Sequence, residues 1–196
     1  MNPFTAASVW ILILLSGCDL FSTRNPEEPA GGSTSEWQFP RTPRVVVENL
    51  EVSVGRRSSA DYMRSFLPDE GEGSDFIFEP DPETAANNPD KFAAWDIERE
   101  RSCVQSLFST SNLPLDSLAE LSIVLTREPV LLGDSADLSA DYELAVGHLR
   151  DAAPRRMKGY LDFKMVRTAD GGWYVYIWRD KRLAGQHCWS DLKAQF

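Results

Sequence analysis

Side chains suited to acid–base chemistry are present in this chain, but they are scattered. A general base of the isomerase kind is a carboxylate in an apolar setting, assisted by a tyrosine or a protonated acid that holds the developing oxyanion. The carboxylates considered for this role are Asp61, Asp141 and Asp162, and the donors considered are Tyr62, Tyr142 and Tyr160. Asp141 and Asp162 alternate with apolar neighbours, so we expect them to face solvent. No catalytic residue is assigned.

The other reactive residue types form no known catalytic or metal-binding motif. His148 continues the face of Tyr142, where a single histidine is expected to be a hydrogen-bonded residue of the core or of a pocket rim. His187 and Cys188 are adjacent, which is not a metal-ligand spacing. The sequence has no CxxC, HExxH, glycine-rich phosphate loop or GxSxG. We therefore expect neither a metal site nor a cofactor.

Aromatic residues are concentrated near the C-terminus, at Trp173, Tyr174, Tyr176, Trp178 and Trp189. One interpretation is a stacking wall for an apolar ligand. The other is that Trp173 is a core residue on the face of Val175 and Ile177, while the rest cover an exposed sheet face or a C-terminal packing site. The residues predicted to bind a ligand or to form an interface are Tyr142, His148, Tyr174, Tyr176 and Trp178.

Two helices are predicted at the start of the folded region. Pro43 suits a first helical turn, and Val46, Leu50 and Val54 recur at i, i+4 and i+8. The valines leave a strand open as the alternative for this segment. The stretch SSADYMRSFLP then predicts a short helix that is capped by one of its two serines and ends before its proline.

The clearest helix is predicted over NNPDKFAAWDIERERSCVQSLFS. Asn88 suits the N-cap and Pro89 the first turn, and an apolar stripe runs to Phe108. The other side carries Asp96, Glu98, Arg99, Glu100 and Arg101. We interpret these charged residues as the solvated face of the helix.

After this helix, apolar residues recur at every second position, which is the period of a β-strand. Alternating segments begin at Leu121 and recur in SADYELAVGHL, MKGYLDFKMV and GWYVYIWRD, and a short strand is predicted earlier at 76–78. Asp170-Gly171-Gly172 has the composition of a hairpin turn. The predicted fold class is α+β, with N-terminal helices packed on a curved antiparallel sheet.

This order of elements resembles the NTF2-like cone fold, which SnoaL-like and ketosteroid-isomerase-like proteins share. The pattern GGWYVYIWRD…CWSDLKAQF, taken with the N-terminal motif described next, resembles a group of envelope lipoproteins. The resemblance covers residues 40–196. It implies a sheet that curls round the long helix and a pocket at the open end of the cone.

The N-terminal stretch WILILLSGCDLF combines a short apolar run with a cysteine. The run from Val9 to Leu15 is too short to cross a bilayer but fits the apolar region of a secretory signal peptide. Leu15-Ser16-Gly17-Cys18 resembles the lipobox of bacterial lipoproteins, which implies lipidation of Cys18, with palmitate among the attached acyl chains. Each buried methylene of such a chain contributes about 0.8 kcal/mol of membrane affinity. The predicted location is the bacterial cell envelope, with the domain in the periplasm and the choice between inner and outer membrane left open.

The predicted organisation is a signal peptide at 1–17, the lipidated cysteine and a flexible tether at 18–39, and one domain at 40–196. The tether is assigned because its Pro, Gly, Ser and Glu offer too little apolar surface to offset the entropy of ordering. Trp37 and Phe39 are expected to mark the start of the domain. The formal net charge of −10 argues against a nucleic-acid partner, because such a partner requires a basic patch.

Two cysteines remain once Cys18 is lipidated. Cys103 and Cys188 could pair in an oxidising periplasm and join the long helix to the C-terminal segment, or remain two buried free thiols. A bridge of this span would contribute at most about 4–5 kcal/mol.

The function predicted from the sequence is that of a non-enzymatic, membrane-anchored envelope lipoprotein. Its partners are expected to be the membrane, through the lipid, and either an apolar small molecule or an envelope protein. The alternatives are a small isomerase or hydrolase of the SnoaL type, which would require a buried acid or histidine in the pocket, and a structural assembly subunit.

Overall fold

The structure, a computed structural model, describes residues 37–67 and 75–196. Cys18, the lipobox and residues 18–36 of the predicted tether lie outside the described residues. The helices are α1 Pro43–Arg56, α2 Ser59–Met63, α3 Pro82–Asn87, α4 Pro89–Phe92, α5 Ile97–Phe108 and α6 Trp189–Lys193. The strands are β1 Ile77–Glu79, β2 Ala119–Leu125, β3 Val130–Leu132, β4 Ser135–Val146, β5 Arg156–Arg167 and β6 Trp173–Arg182.

The first two helices begin where the sequence indicates. Thr42 caps α1, Pro43 occupies its first turn, and Val46, Leu50 and Val54 are buried along one face. Ser58 caps α2 by accepting a hydrogen bond from the amide of Asp61. The alternative of a strand in the valine-rich segment is wrong, because apolar spacing outweighs the low helix propensity of valine here.

The predicted helix from Asn88 onward is interrupted. It consists of α4 and α5, with a break at residues 93–96. Asp96 has an extended backbone and caps α5, since its carboxylate accepts a hydrogen bond from the amide of Arg99 at 2.8 Å. A capping aspartate competes with continuation of the helix through its own side chain. The single long helix is therefore wrong, although the start at Pro89 and the end at Phe108 are correct.

The strands form one mixed sheet in the order β1-β6-β5-β4-β2, and β3 also pairs with β4. All neighbours are antiparallel except β1 and β6, which are parallel. The turn between β5 and β6 contains Gly171 at a φ of 85°, a backbone conformation that favours glycine. The α+β class and the predicted hairpin are confirmed.

A β-bulge in β6 changes which aromatic residues face the core. Lys164 is paired with Ile177 and Met165 with Val175, so Tyr176 is the extra residue. Trp173 is buried as predicted, but beyond the bulge the alternation reverses. Ile177 is half-buried on the outer face, and Trp178 is fully buried. The assignment of Ile177 to the core is therefore wrong. Of the two places expected for Trp178, the exposed sheet face is wrong, whereas the C-terminal packing site is correct, because Trp178 packs against Trp189 of α6.

The first described residues contact the domain. The guanidinium carbon of Arg64 lies 3.4 Å from the ring centre of Trp37. Gln38 and Asn49 exchange two hydrogen bonds, of 2.9 and 2.7 Å. No helix in the described ranges combines the length and apolarity needed to cross a membrane.

Candidate functional site

The space between the helices and the inner face of the sheet is filled by the C-terminal helix α6. The Trp189 ring centre lies 4.7 Å from that of Trp178 and 5.5 Å from that of Tyr142. Leu192 and Lys193 of the same helix are also buried. The cavity that remains measures about 10 Å³, which is about the room that one water molecule needs. The interior pocket that the cone fold implies is thus occupied by the chain itself.

A buried ion pair lies beside α6. The ammonium of Lys193 donates a hydrogen bond to Oε2 of Glu100 at 2.5 Å, and both side chains are almost fully buried. The hydroxyl of Tyr62 donates to Oε1 of Glu100 at 2.8 Å, and the indole N–H of Trp95 donates to Oε2 at 2.7 Å. Burial and the neighbouring carboxylate raise the pKa of Tyr62 well above its usual value, whereas burial lowers the pKa of Lys193.

A second buried carboxylate, Asp180, ties α6 to the sheet. Its oxygens accept hydrogen bonds from the hydroxyl of Tyr142 at 2.7 Å and from the amide and hydroxyl of Ser190, each at 2.6 Å. The Tyr142 oxygen in turn accepts a hydrogen bond from the amide of Trp189. Burial raises the pKa of Asp180, and burial together with Asp180 raises that of Tyr142.

The interior residues that could take part in acid–base chemistry only partly match the candidates chosen from the sequence for that role. Tyr62 and Tyr142 are buried beside carboxylates, whereas Tyr160 is 42% exposed. The carboxylates beside them are Glu100 and Asp180, and neither was selected. Asp141 is exposed, and Asp162 binds Lys181 at the surface, as the alternation predicts. Asp61 lies in the surface turn of α2, paired with Arg64.

Glu100 was assigned to a solvated helix face, and this is wrong. Ile97, Glu100, Val104 and Leu107 are all buried on one face of α5. Their spacing of three and four residues was the available signal, but the charged neighbours obscured it. The same interior contains Lys193, which shares no sequence pattern with Glu100.

His148 is a core residue. It is fully buried, its Nε2 lies 3.0 Å from the carbonyl oxygen of Pro154, and its ring meets that of Phe196 edge-on. This agrees with the expectation of a hydrogen-bonded core or rim histidine. Within residues 37–67 and 75–196, no group of His, Cys, Asp and Glu side chains could hold a metal ion.

Cys103 and Cys188 are both buried, free thiols in the structure. Burial raises the pKa of each to about 12, so neither is a reactive thiolate near neutral pH. Of the two arrangements that the sequence left open, the structure contains the pair of free thiols.

An open recess, the outer groove, lies outside this interior and has a volume of about 620 Å³. Apolar side chains form most of its lining, with charged groups among them. The lining residues are Trp37, Phe39, Ala60, Met63, Arg64, Phe66, Ile97, Arg101, Asp170 and Tyr174. Its size falls in the range of small-molecule sites.

Charged groups are placed at the edge of the outer groove. The side chains of Arg64 and Arg101 are 51% and 42% exposed. The hydroxyl of Tyr174 donates to Asp170 at 2.9 Å, and burial together with this carboxylate raises the pKa of Tyr174 to about 12. Arg64 is also paired with Asp61 and Arg101 with Glu98, so this edge carries charges of both signs.

The five residues predicted to bind a ligand or form an interface are therefore not in one place. Tyr142, His148 and Trp178 are interior residues, Tyr174 lines the outer groove, and Tyr176 is half-buried at the bulge. The groove residues Trp37 and Arg64 were not predicted to form a site, because they meet Tyr174 only in the folded domain and no sequence motif links the three.

Comparison with known proteins identifies the fold. No protein-family model and no curated protein matches the chain. A conserved protein from Planctomyces limnophilus superposes with a TM-score of 0.53 at 12% identity, over 69% of this chain and 89% of that one. A candidate dehydratase of the NTF2-like family from Streptomyces avermitilis gives 0.50 at 10% identity, over 72% and 94%.

A third solved structure, an NTF2-like protein of unknown function from Shewanella oneidensis, gives a TM-score of 0.47 at 11% identity over 69% of this chain and 93% of that one. The superpositions with TM-scores of 0.53 and 0.50 establish a shared fold, and identities this low carry no activity across. The described domain has the NTF2-like fold.

Proposed function

We propose that this protein is a lipid-anchored lipoprotein of the bacterial cell envelope whose NTF2-like domain binds an apolar small molecule in the outer groove and catalyses no reaction. The observation that carries the proposal is the contrast between the two spaces. The interior retains about 10 Å³, whereas the outer groove offers about 620 Å³ lined by aromatic side chains. A ligand site must admit its ligand, and of these two spaces the groove does so.

The chemistry of the groove indicates the kind of molecule. Trp37, Phe39 and Tyr174 offer rings for stacking, and Arg64 and Arg101 offer guanidinium donors to a negative group. An apolar molecule that carries one acidic group therefore matches the groove.

An isomerase or hydrolase of the SnoaL type is less well supported. The interior does contain carboxylates beside tyrosine hydroxyls, the residue types that such an enzyme uses. However, α6 occupies the volume where a substrate would have to meet Glu100 or Asp180. Catalysis in this interior would require α6 to leave, and its polar contacts to Asp180 oppose that.

A role as an assembly subunit is favoured by a separate feature, the strand β3. Val130, Leu131 and Leu132 are 42%, 59% and 66% exposed, and within the described residues β3 pairs only with β4. An exposed apolar edge strand is a template for pairing with another chain.

Native mass spectrometry of the full chain, expressed in a periplasm and purified without denaturant, separates these functions. We expect a monomer that carries a stoichiometric non-covalent mass of a small acidic, apolar molecule. A bare dimer would instead favour assembly through β3, and a bare monomer that turns over a substrate would favour the enzyme.

Replacing Tyr174 by alanine is expected to weaken binding of the anionic dye 1-anilinonaphthalene-8-sulfonate about twofold to twelvefold. The reason is the loss of one stacking face, since an aromatic contact contributes about 0.5–1.5 kcal/mol. The measurement is a fluorescence titration of the folded protein. Tyr160→Ala is the matched control, because Tyr160 lies on β5 and does not line the groove. Equal affinities for the two variants would place the dye elsewhere.

The anchor has its own test. Cys18→Ser is expected to leave the N-terminal segment uncleaved and the chain without acyl mass. Intact-mass analysis checks both points, since the processed wild-type chain should lack residues 1–17 and carry acyl mass. Cys103→Ala serves as the control and should be cleaved and acylated like the wild type. A wild-type chain without acyl mass would contradict the anchor.

A further inference from the structure

The ammonium of Lys193 is held by an aromatic cage. Its Nζ lies 3.6 Å from the ring centre of Phe78, 3.7 Å from that of Trp178 and 5.4 Å from that of Trp95. Attraction between a cation and a ring face acts within about 6 Å of the centroid. Glu100 closes the remaining side with a carboxylate oxygen.

The cage is built without any residue of α6. Phe78 belongs to β1, Trp178 to β6, and Trp95 and Glu100 to the start of the α5 region. The Phe78 ring packs edge-on against Trp178 at 5.0 Å and lies tilted against Trp95 at 5.6 Å. Glu100 is oriented by Tyr62 and Trp95, which bind it independently of Lys193. The aromatic cage and Glu100 therefore belong to the rest of the domain, and only Lys193, which fills the cage, comes from the C-terminal helix.

We propose that the interior of the domain is a binding site for a small primary alkylammonium ion, and that Lys193 is its resident occupant. A free ammonium ion competes for the cage whenever α6 detaches. Three ring faces and a single carboxylate select a monocation with an apolar body, because a neutral molecule would leave Glu100 buried without a counter-charge.

The connection to α6 suits such detachment. Residues 183–187 are exposed, and Gly185 takes a φ of 76°, so this loop forms a turn with few anchoring contacts. Past the loop, α6 is held by the buried side chains of Trp189 and Leu192 and by polar contacts of Ser190 with Asp180 and of Asp191 with Arg182. These contacts make detachment infrequent, but the pairing of the strands does not include α6, so the sheet stays folded during a local opening of this helix.

The first test is rescue of the Lys193→Ala variant by n-propylammonium, which replaces the deleted atoms. At a concentration tenfold above its dissociation constant, a guest shifts the ratio of folded to unfolded protein about tenfold. We expect a saturable rise of Tm at neutral pH, absent with propan-1-ol and with sodium chloride at equal ionic strength. Lys193→Met is the matched control, since its side chain fills the space, and it should show no rise. Equal rescue by propan-1-ol would overturn the proposal.

A second measurement does not depend on the folding of Lys193→Ala. In a double-mutant cycle of Lys193→Met and Phe78→Leu, we expect the loss in the folded-to-unfolded ratio for Phe78→Leu to be smaller in the Lys193→Met background, because the ring then has no cation to attract. Equal losses in both backgrounds would overturn the cage.

Hydrogen exchange of the wild-type chain tests whether an alkylammonium ion can reach the aromatic cage. We expect the amides of Ser190, Leu192 and Lys193 to exchange faster in n-propylammonium chloride than in sodium chloride of equal ionic strength, while the amides of β5 are unchanged. Identical exchange at α6 in the two salts would show that Lys193 is never displaced and would overturn the competition.

Discussion

Replacing Glu100 by methionine is expected to destabilise the folded domain by about 3–5 kcal/mol, the range found when one partner of a buried ion pair is removed. The substitution keeps most of the side-chain volume but leaves Lys193 charged, buried and without a counter-ion. It also leaves the Tyr62 hydroxyl and the Trp95 indole N–H without their acceptor. Urea unfolding of wild type and variant, followed by tryptophan fluorescence, measures the loss.

The double variant Glu100→Met/Lys193→Met is the control for this experiment. With both charges gone, an apolar pair of similar volume can pack in the interior, and such replacements are often neutral. We expect the double variant to recover more than half of the loss, short of full recovery because two buried donors stay unpaired. Additive losses in the two single variants would mean that the pair is not coupled, contrary to the structure.

The pH dependence of Glu100→Met follows from the same pair. Burial already lowers the pKa of Lys193, and the attraction of Glu100 opposes that shift. Removing Glu100 therefore lowers the pKa further below the unfolded value of about 10.4. Between these two pKa values the unfolded chain binds more protons than the folded one, so the free energy of unfolding rises with pH. We expect this rise in Glu100→Met and its absence in the double variant.

Features set by near neighbours in the sequence were predictable. The spacing of Val46, Leu50 and Val54 predicted α1 because one helical face is determined within three turns. The alternation from Met157 to Met165 predicted which face of β5 is buried, and Asp170-Gly171-Gly172 predicted the hairpin. Each of these patterns is read within a single element.

Features that depend on distant partners were not predictable. Glu100 was assigned to solvent because its counter-charge lies 93 residues later, on a helix too short to give an amphipathic signal. The bulge at Tyr176 is a property of the pairing of β6 with β5, and no residue type within β6 predicts it. The outer groove joins Trp37, the α2 turn and Tyr174, so it exists only once three separated segments have met.

The second large effect is expected from Trp189→Ala, which should cost about 3–5 kcal/mol of unfolding free energy. Trp189 is 4% exposed and packs on Trp178 and Tyr142, so its removal leaves a cavity in a close-packed interior. The backbone amide of Trp189 still donates to Tyr142, and Ser190 still binds Asp180, so α6 is expected to stay in place. Urea unfolding again gives the loss, and Leu115→Ala, at a 78% exposed position, is the control with little effect.

Indole tests whether the new space is the pocket that the NTF2-like fold otherwise provides. In Trp189→Ala, millimolar indole is expected to raise the urea midpoint by occupying the cavity, while wild type is unaffected because its interior has room for about one water. A loss below about 1 kcal/mol, or stabilisation of wild type by indole, would mean that α6 is readily displaced. The small-molecule site would then lie inside the cone instead of in the outer groove. The result for this single tryptophan therefore distinguishes the two places in which the domain could hold a ligand.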